Sequence, residues 1–461
     1  MATGSGSTRE RALDVLLDRA LAPIVDVVLS SPAADVYEAA SADGSVRFVR
    51  HGRTFAVESV QGDDPFADQS VARLAGIDAE LADPHPTRAH NSYPFAFEQV
   101  AQLFDHPAAP DLCVVHTAAH NWEDAGGHRG EHGSLGVVQA RAPFVLAGAG
   151  VRADGVVPRA ARLVDVAPTL CALLGVTPRP DGTHLAGQDG EVRAEVLDTS
   201  TRARHVVAFL LDGANPNVLH ARAAGGDAPT IARLIERGTS YGYGAMAGMP
   251  TVTLANHTSI LTGRYPGHHG ILHNAWYDRR TGEQVITNSQ ATWPWSMDHC
   301  APGVESIHDA IHRTWSDAFT ASVNEPCDIG ADYSTFDFFR NGEVPPIPKA
   351  PDGLPHVTER FVRPHKDYSW SSVVDHMGTE QAVAIWDGRY RDVDYLAPTF
   401  MFVNFTLTDS AFHAGGPHSD IADASVRDTD ARIGDIVDAV ARAGALDDTA
   451  FVVVADHGMQ Q

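Results

Sequence analysis

Four short segments constrain this chain more than any other feature: "FLLDGANP", "PTVTLANHTSILTGRYPGHHGI", "FTLTDSAFHAGGP" and "VVVADHGM". Three are apolar runs that stop abruptly at a polar group, and the fourth is a turn that opens a helix. Short apolar runs bounded by turn residues suit strands buried on both faces of a parallel sheet. An open α/β sheet builds its site at the carboxyl ends of such strands. Asp212, Asp409, His413, Asp456, His457 and Thr253 occupy those positions.

The wider pattern agrees with an α/β fold, a mostly parallel sheet sandwiched between helices. "HVVAFLLDG", "AFTASVNEP", "FMFVNFTLTD" and "TAFVVVADHG" read as strands. "APTIARLIERG", "TLANHTSILTG", "IHDAIHRTW" and residues 424–444 read as helices between them, and this alternation calls for helices covering a parallel sheet. Earlier, residues 10–29 have helical spacing, and "VRFVRHGRTFAVES" alternates as a hairpin with its turn at His51–Gly52. "FAFEQVAQLFD" and "VDVAPTLCALLG" read as helices, the second stopped by Gly175. "DLCVVHTA" and "ARAPFVLAGAG" read as strands. Residues 276–400, rich in Trp, Tyr and Pro, are expected to form an inserted cap over the site.

Composition limits the partners. The 461 residues carry 59 acidic against 34 basic side chains, a formal charge of −25. So acidic a surface disfavours nucleic acid polymers. It does not exclude a small phosphate ester, since bound cations would dominate the local field. The four cysteines are scattered without CxxC spacing, which argues against a thiolate zinc site or a disulfide scaffold. The first residues lack the pattern of a secretory leader, and no apolar run reaches the ~20 residues of a membrane span. The expectation is a cytoplasmic protein with no membrane partner.

Each polar position also has an ordinary reading. A strand-terminal Asp is often a turn or capping residue, and a lone DxxxH or DHG says little. Asp456–His457 pairs a hard carboxylate with an imidazole, which suits Zn²⁺ or Mn²⁺. Asp409-x3-His413 can present two ligands on one helical turn. Thr253 opens a helix, where free N–H groups favour an anion, and a threonine hydroxyl becomes a nucleophile once its pKa is lowered. Thr251 competes with it as a plain cap.

Together these segments resemble the alkaline phosphatase superfamily, in particular its nucleotide pyrophosphatase/phosphodiesterase branch. "TLANH…TGRYPGHHGI", DxxxH and "DHGM" carry the resemblance over residues 205–275 and 400–459. It implies two divalent ions, zinc before manganese. One would be held by Asp212, Thr253, Asp456 and His457, the other by Asp409, His413 and a further histidine. Thr253 would be the nucleophile of a phospho-threonine mechanism, and Asn274 would bind the phosphoryl oxygens. "DAGGHRGEHGSL…ARAPFVLAGAGV" resembles the superfamily's final segment. His132, with His128 as competitor, is therefore expected to supply the last ligand.

The order of segments implies a circular permutation, with a truncated or tandem gene product as the competing explanation. Residues 1–190 correspond to the family's second half and 205–461 to its first, joined by a connector at 191–204 into one catalytic domain. The implied substrate is a small phosphate ester, a nucleotide being one such ester, with Tyr333 and Phe336 expected to stack on a flat group. A phosphate monoesterase or phosphonate hydrolase is the alternative within the superfamily. A non-catalytic phosphate-binding or scaffold protein is the alternative outside it. His257 and His269 are expected to pack or hydrogen-bond, His116 and His120 to lie further out, and Glu131 to orient a ligand.

Overall fold

The computed structural model describes residues 8–120, 127–343, 366–390 and 393–461. Its centre is an eight-stranded sheet. In chain order the strands are β1 (Phe144–Gly148), β2 (Gly155–Val157), β3 (His205–Leu211), β4 (Gly238–Tyr241), β5 (Thr320–Val323), β6 (Tyr333–Ser334), β7 (Phe400–Phe405) and β8 (Thr449–Val454). Their spatial order is β6-β5-β7-β3-β8-β1-β4-β2. From β6 through β8 every pairing is parallel, while β1 runs antiparallel to both β8 and β4.

β3, β7 and β8 are apolar along almost their whole length because both faces are covered. All six residues of β7 and of β8 are buried, and so are Val206 to Leu211. Each fully buried Val, Leu or Phe contributes about 1.5–3 kcal/mol, so these three strands are the rigid part of the molecule. Their carboxyl ends lie side by side and release Asp212, the helix Leu407–Gly415, and Asp456.

The early half contributes in two ways. It inserts β1 and β2 into the central sheet, and the helix Val166–Leu174 packs beside them in the same core. It also forms a second sheet, antiparallel and five-stranded, from Val25–Ala33, Val36–Ala40, Gly44–His51, Thr54–Gly62 and Cys113–His116. That sheet has its own core, including Tyr37, Phe48, Phe66 and Val100.

Two expectations are corrected here. The helix read over 10–29 ends at Leu16, and Val25 already begins a strand. Pro23 cannot continue the hydrogen-bond ladder of a helix, and Val25, Val27 and Val28 pair instead with Val114 to His116. The described part of 276–400 is also only partly a cap: Trp276 and Tyr277 line a cavity, while later residues join the core. β5 and β6 complete the central sheet, and the helix Lys366–Trp386 packs against Leu407–Gly415 and Asp420–Arg442. The rest of the expected cap, 344–365 and 391–392, lies outside the described residues.

Candidate active site

Asp212 follows β3 directly, and its backbone N–H donates to the Phe405 carbonyl of the neighbouring strand. Gly213 then turns the chain at φ +64°, donating its N–H to Asp456 Oδ1 at 3.0 Å. A Cβ on Gly213 would stand 2.8 Å from Asp409 Oδ1. The turn therefore needs glycine for both its left-handed backbone and its closeness to the next carboxylate.

Asp409 and His413 lie one turn apart on the helix Leu407–Gly415. Buried Asp375 fixes the start of that helix by accepting from Thr406 N, Thr406 Oγ1 and Leu407 N. His413 Nε2 stands 3.3 Å from Asp409 Oδ1, and its Nδ1 is 2.8 Å from the carbonyl of Gly130. Donation to that carbonyl leaves Nε2 free to face the carboxylate.

The loop before β1 closes the site. β1 is antiparallel to β8, with Phe144 opposite Val454, so the chain entering β1 arrives at the carboxyl end of β8. Glu131 and Gln460 exchange backbone hydrogen bonds, and Gly458 N donates to the Gln139 carbonyl. His132 Nε2 is 3.9 Å from Asp409 Oδ1, its ring stacks on His457 at 3.7 Å, and its Nδ1 is 2.8 Å from the Thr251 carbonyl. Thr251 is not a helix cap. Its hydroxyl donates to the Ser134 carbonyl and accepts from Gly133 N, which ties the His132 loop down. His128 sits further out, with its ring against His413 at 4.2 Å and Nδ1 at 2.5 Å from Glu131 Oε1.

Three groups of donors result among the described residues. Asp212, His257 and Asp456 form a buried group, and His132, Asp409 and His457 form a neighbouring one, with ligand atoms in each within 4.8 Å of one another; His128, Glu131 and His413 form a third, more exposed group with the same spacing. His457 Nε2 faces the first two, at 3.1 Å from Asp456 Oδ2 and 3.8 Å from Asp212 Oδ1. Asp212 Oδ1, His257 Nε2, Asp409 Oδ1, Asp456 Oδ2 and His457 Nε2 are buried without a hydrogen-bond partner among the described residues. Buried polar atoms are rarely left this way unless an ion or water belongs there. Oxygen and imidazole donors at these spacings fit divalent ions such as zinc.

The electrostatics point the same way. Burial, together with Asp456 and Asp409, holds the Asp212 carboxyl well above the usual range. Burial opposes charge on Asp409 too, yet His413, His132 and His457 hold it well below that range. Burial lowers the basicity of His413, but Asp409 outweighs it and raises the imidazole to about 9. Burial and the neighbouring His457 and His413 push His132 well below its ordinary value, so it is a neutral donor. Three carboxylates this close need positive charge between them.

Thr253 is the first residue of the helix Thr253–Thr262, preceded by Val252, whose side chain makes no cap. Leu254 N donates to Asn274 Oδ1 at 3.4 Å, placing the Asn274 amide at the open end of that helix. A cavity of about 580 Å³ adjoins His132 and Asn274 and is lined further by Leu103, Val115, Trp276 and Tyr277.

The model of the type I phosphodiesterase / nucleotide pyrophosphatase family matches residues 206–461. The chain belongs to that family. An uncharacterized pyrophosphatase/phosphodiesterase of Schizosaccharomyces pombe is 30% identical over 135 residues, covering 25% of this chain and 27% of the relative. Ectonucleotide pyrophosphatase/phosphodiesterase family member 1 of Rattus norvegicus is 26% identical over 253 residues, 55% of this chain and 24% of that one. This family member thus spans about a quarter of the length of those curated relatives. Phosphonoacetate hydrolase from Sinorhizobium meliloti, solved with phosphonoformate, superimposes with a TM-score of 0.36 at 22% identity, covering 56% of this chain and 57% of that one.

In this phosphodiesterase-family chain, Asp212, Asp409, His413, Asp456, His457 and His132 gather at one end of the sheet, and the helix that Thr253 opens is tied to them by the Thr251 carbonyl at His132 and to Asn274 by Leu254 N. Tyr333 and Phe336 do not offer a stacking face. Tyr333 lies in the core against Phe338, Tyr390 and Tyr395, with its hydroxyl donating to Gln381. Phe336 is buried against Phe339. Both belong to the packing of the sheet edge. Trp276 and Tyr277 line the cavity instead. His269 is buried, its Nε2 engaged by the Ala255 carbonyl. Glu325, absent from the sequence reading, joins the site through His257. Its signal was the strand "TASV" ending in the polar pair Asn324–Glu325.

Proposed function

We propose that this protein is a two-metal hydrolase of phosphoric esters, acting on small phosphodiesters or pyrophosphates through a phospho-threonine intermediate. The observation that carries the reading is the convergence of five unpartnered buried polar atoms from adjacent strand ends and a helix beside Thr253. Zinc is the expected ion at both positions. Asp212, Thr253, Asp456 and His457 would hold one, and Asp409, His413 and His132 the other. When bound, the ions supply charge neutralisation at the phosphoryl group and lower the pKa of oxygen nucleophiles.

The chain's own residues do the rest. The Thr253 oxygen attacks phosphorus in line and forms a P–O bond as the bond to the leaving oxygen breaks, the hydroxyl proton ending on that leaving oxygen. The Asn274 amide and the N–H groups at the start of the Thr253–Thr262 helix hold the equatorial oxygens. Water then attacks the phospho-threonine from the opposite side, restoring the hydroxyl and releasing the phosphoryl product. Two in-line displacements give net retention at phosphorus. The cavity beside Asn274 offers room for a substantial leaving group, and this favours a diester over a monoester. The nucleotide pyrophosphatase names of the relatives make a nucleotide the first substrate to try.

The early half is read as the family's second half moved to the front. His132 reaches the site in its own chain because β1 enters the sheet antiparallel beside β8.

Thr253→Ala tests the whole reading. It should lower turnover of a chromogenic phosphodiester by at least about 10³-fold, while Asp212, Asp456 and His457, the three remaining ligands of that position, keep bound metal at two per chain. An active Thr253→Ala protein, or wild type that cleaves only an aryl sulfate or a phosphonate in a parallel panel, would refute it.

A further inference from the structure

Glu80 has no part in the chemistry above, yet it is only 2% exposed and bonds to the turns that carry it. It lies on the short helix Ile77–Ala82 of the early half. Asn217 of the late half holds the start of that helix, accepting from Gly76 N at 2.7 Å and donating to the Leu74 carbonyl at 2.9 Å. The same amide donates to Glu80 Oε2 at 2.6 Å. Glu80 Oε1 is engaged twice. Asn215 Nδ2 donates to it at 2.8 Å, and His418 Nε2 stands 3.0 Å away. A carboxylate only accepts, so the proton of that second bond is on the imidazole.

Those two bonds reach separate parts of the site. Asn215 ends the turn that begins at Asp212, and its side-chain oxygen caps the helix Pro216–Gly225 by accepting from Asn217 N and Val218 N. Its amide also donates to the Met459 carbonyl at 2.9 Å, just past Asp456 and His457. His418 follows the helix Leu407–Gly415, which carries Asp409 and His413. One oxygen of the early half thus joins the turn behind Asp212 to the turn behind Asp409 and His413. Desolvation offsets much of what a buried carboxylate gains from its bonds, so stability alone is a weak reason to place one here. A buried network with every partner present instead holds one arrangement of the parts it joins. We propose that Glu80 is a positioning residue that sets the separation of the two metal positions, acting through Asn215 and His418. The proposal rests on the two-ion reading above and adds no ligand to it. It concerns the register between the positions, to which in-line transfer is sensitive: a misplacement of about 1 Å can cost ~10²-fold in rate.

The test uses the full chain, stripped by a chelator and reloaded with Mn²⁺. Wild type is compared with Glu80→Gln, which keeps the shape but turns an N–H group toward the three donors, and with Glu80→Asp, which keeps the charge on a shorter stem. The readings are affinity for each ion by chelator competition, the electron paramagnetic resonance of the Mn²⁺ pair, and kcat and KM on a chromogenic phosphodiester. Wild type should hold two ions whose spins are coupled. Glu80→Gln should keep both within about threefold of wild-type affinity, alter the coupling, and lower kcat by about 10–100-fold with KM changed by less than about threefold. Glu80→Asp should fall between the two. A Glu80→Gln protein that loses only thermal stability, with kcat and coupling unchanged, would overturn the proposal and leave the two-ion reading standing. Loss of one ion in that variant would overturn it too, since Glu80 would then act on affinity and not on separation. Wild type with fewer than two ions would overturn both. If Glu80→Gln does not fold, Glu80→Asp decides by the same readings, with circular dichroism to show that it is native.

Discussion

Two of the donor clusters are built by different means. The deep one takes Asp212, Asp456 and His257 from two adjacent parallel strands and one helix, all within the late half, and every member is buried. The shallow one needs His132 from the early half, carried on a loop, and its Asp409 carboxylate is 22% exposed. The late half alone supplies the first, through the parallel pairing of β3 with β8. The second exists only when two distant parts of the chain have docked. Rigid strand ends thus fix one centre, and tertiary packing fixes the other.

The sharpest way to break this contrast is His132→Ala. It should reduce bound metal from two ions to one and lower turnover by more than the ~10²-fold that loss of an outer partner costs. Metal analysis after dialysis checks that the ion retained is the deep one. Equal loss of both ions would erase the distinction between the clusters.

A milder probe leaves every ligand in place. Thr251→Val removes the hydroxyl that bridges Gly133 N and the Ser134 carbonyl. Leaving those buried groups unpaired should cost about 1–3 kcal/mol in urea unfolding. Affinity at the shallow position should fall with it, and affinity at the deep position should not. A Thr251→Val protein with unchanged stability and metal binding would mean that the loop is held elsewhere.

The smallest effect concerns the seam between the halves. His268, in the late half, bonds Asp189 at 2.7 Å and Asp105 at 2.8 Å, both in the early half. Burial lowers its basicity, but the two carboxylates outweigh that and raise it to about 9. A histidine raised in the folded state stabilises fully below its unfolded value near 6.5 and loses that contribution as pH rises through about 9. Thermal unfolding should therefore show a modest loss of stability between pH 6.5 and 9, and His268→Gln should flatten it. An identical pH dependence in the variant would remove the seam from the account.

These contrasts also explain which site residues the sequence makes legible. Asp212, Asp456 and Asp409 could be read directly, because an apolar strand ending in a carboxylate leaves that group at one predictable place in a parallel sheet. The same rule applied to "TASVNEP" points at Glu325, which was passed over because no recognised motif surrounds it. His132 was reachable only through resemblance: no local pattern says that an antiparallel strand will deliver a loop 80 residues upstream of Asp212 to the same rim. Tyr333 and Phe336 were misread because composition cannot tell which side of a sheet edge an aromatic faces. The early strand at Val25 was hidden by helical spacing that ran on across Pro23. Pairing with Cys113–His116, far along the chain, decided its conformation.

On the proposed two-metal reading, the reciprocal backbone ladder between Glu131 and Gln460 means that neither portion of the polypeptide completes the site alone. A cut within 191–204 would give two fragments, each mute alone. Hydrolysis would then report their reunion against a silent background, which makes this fold a natural template for a split reporter.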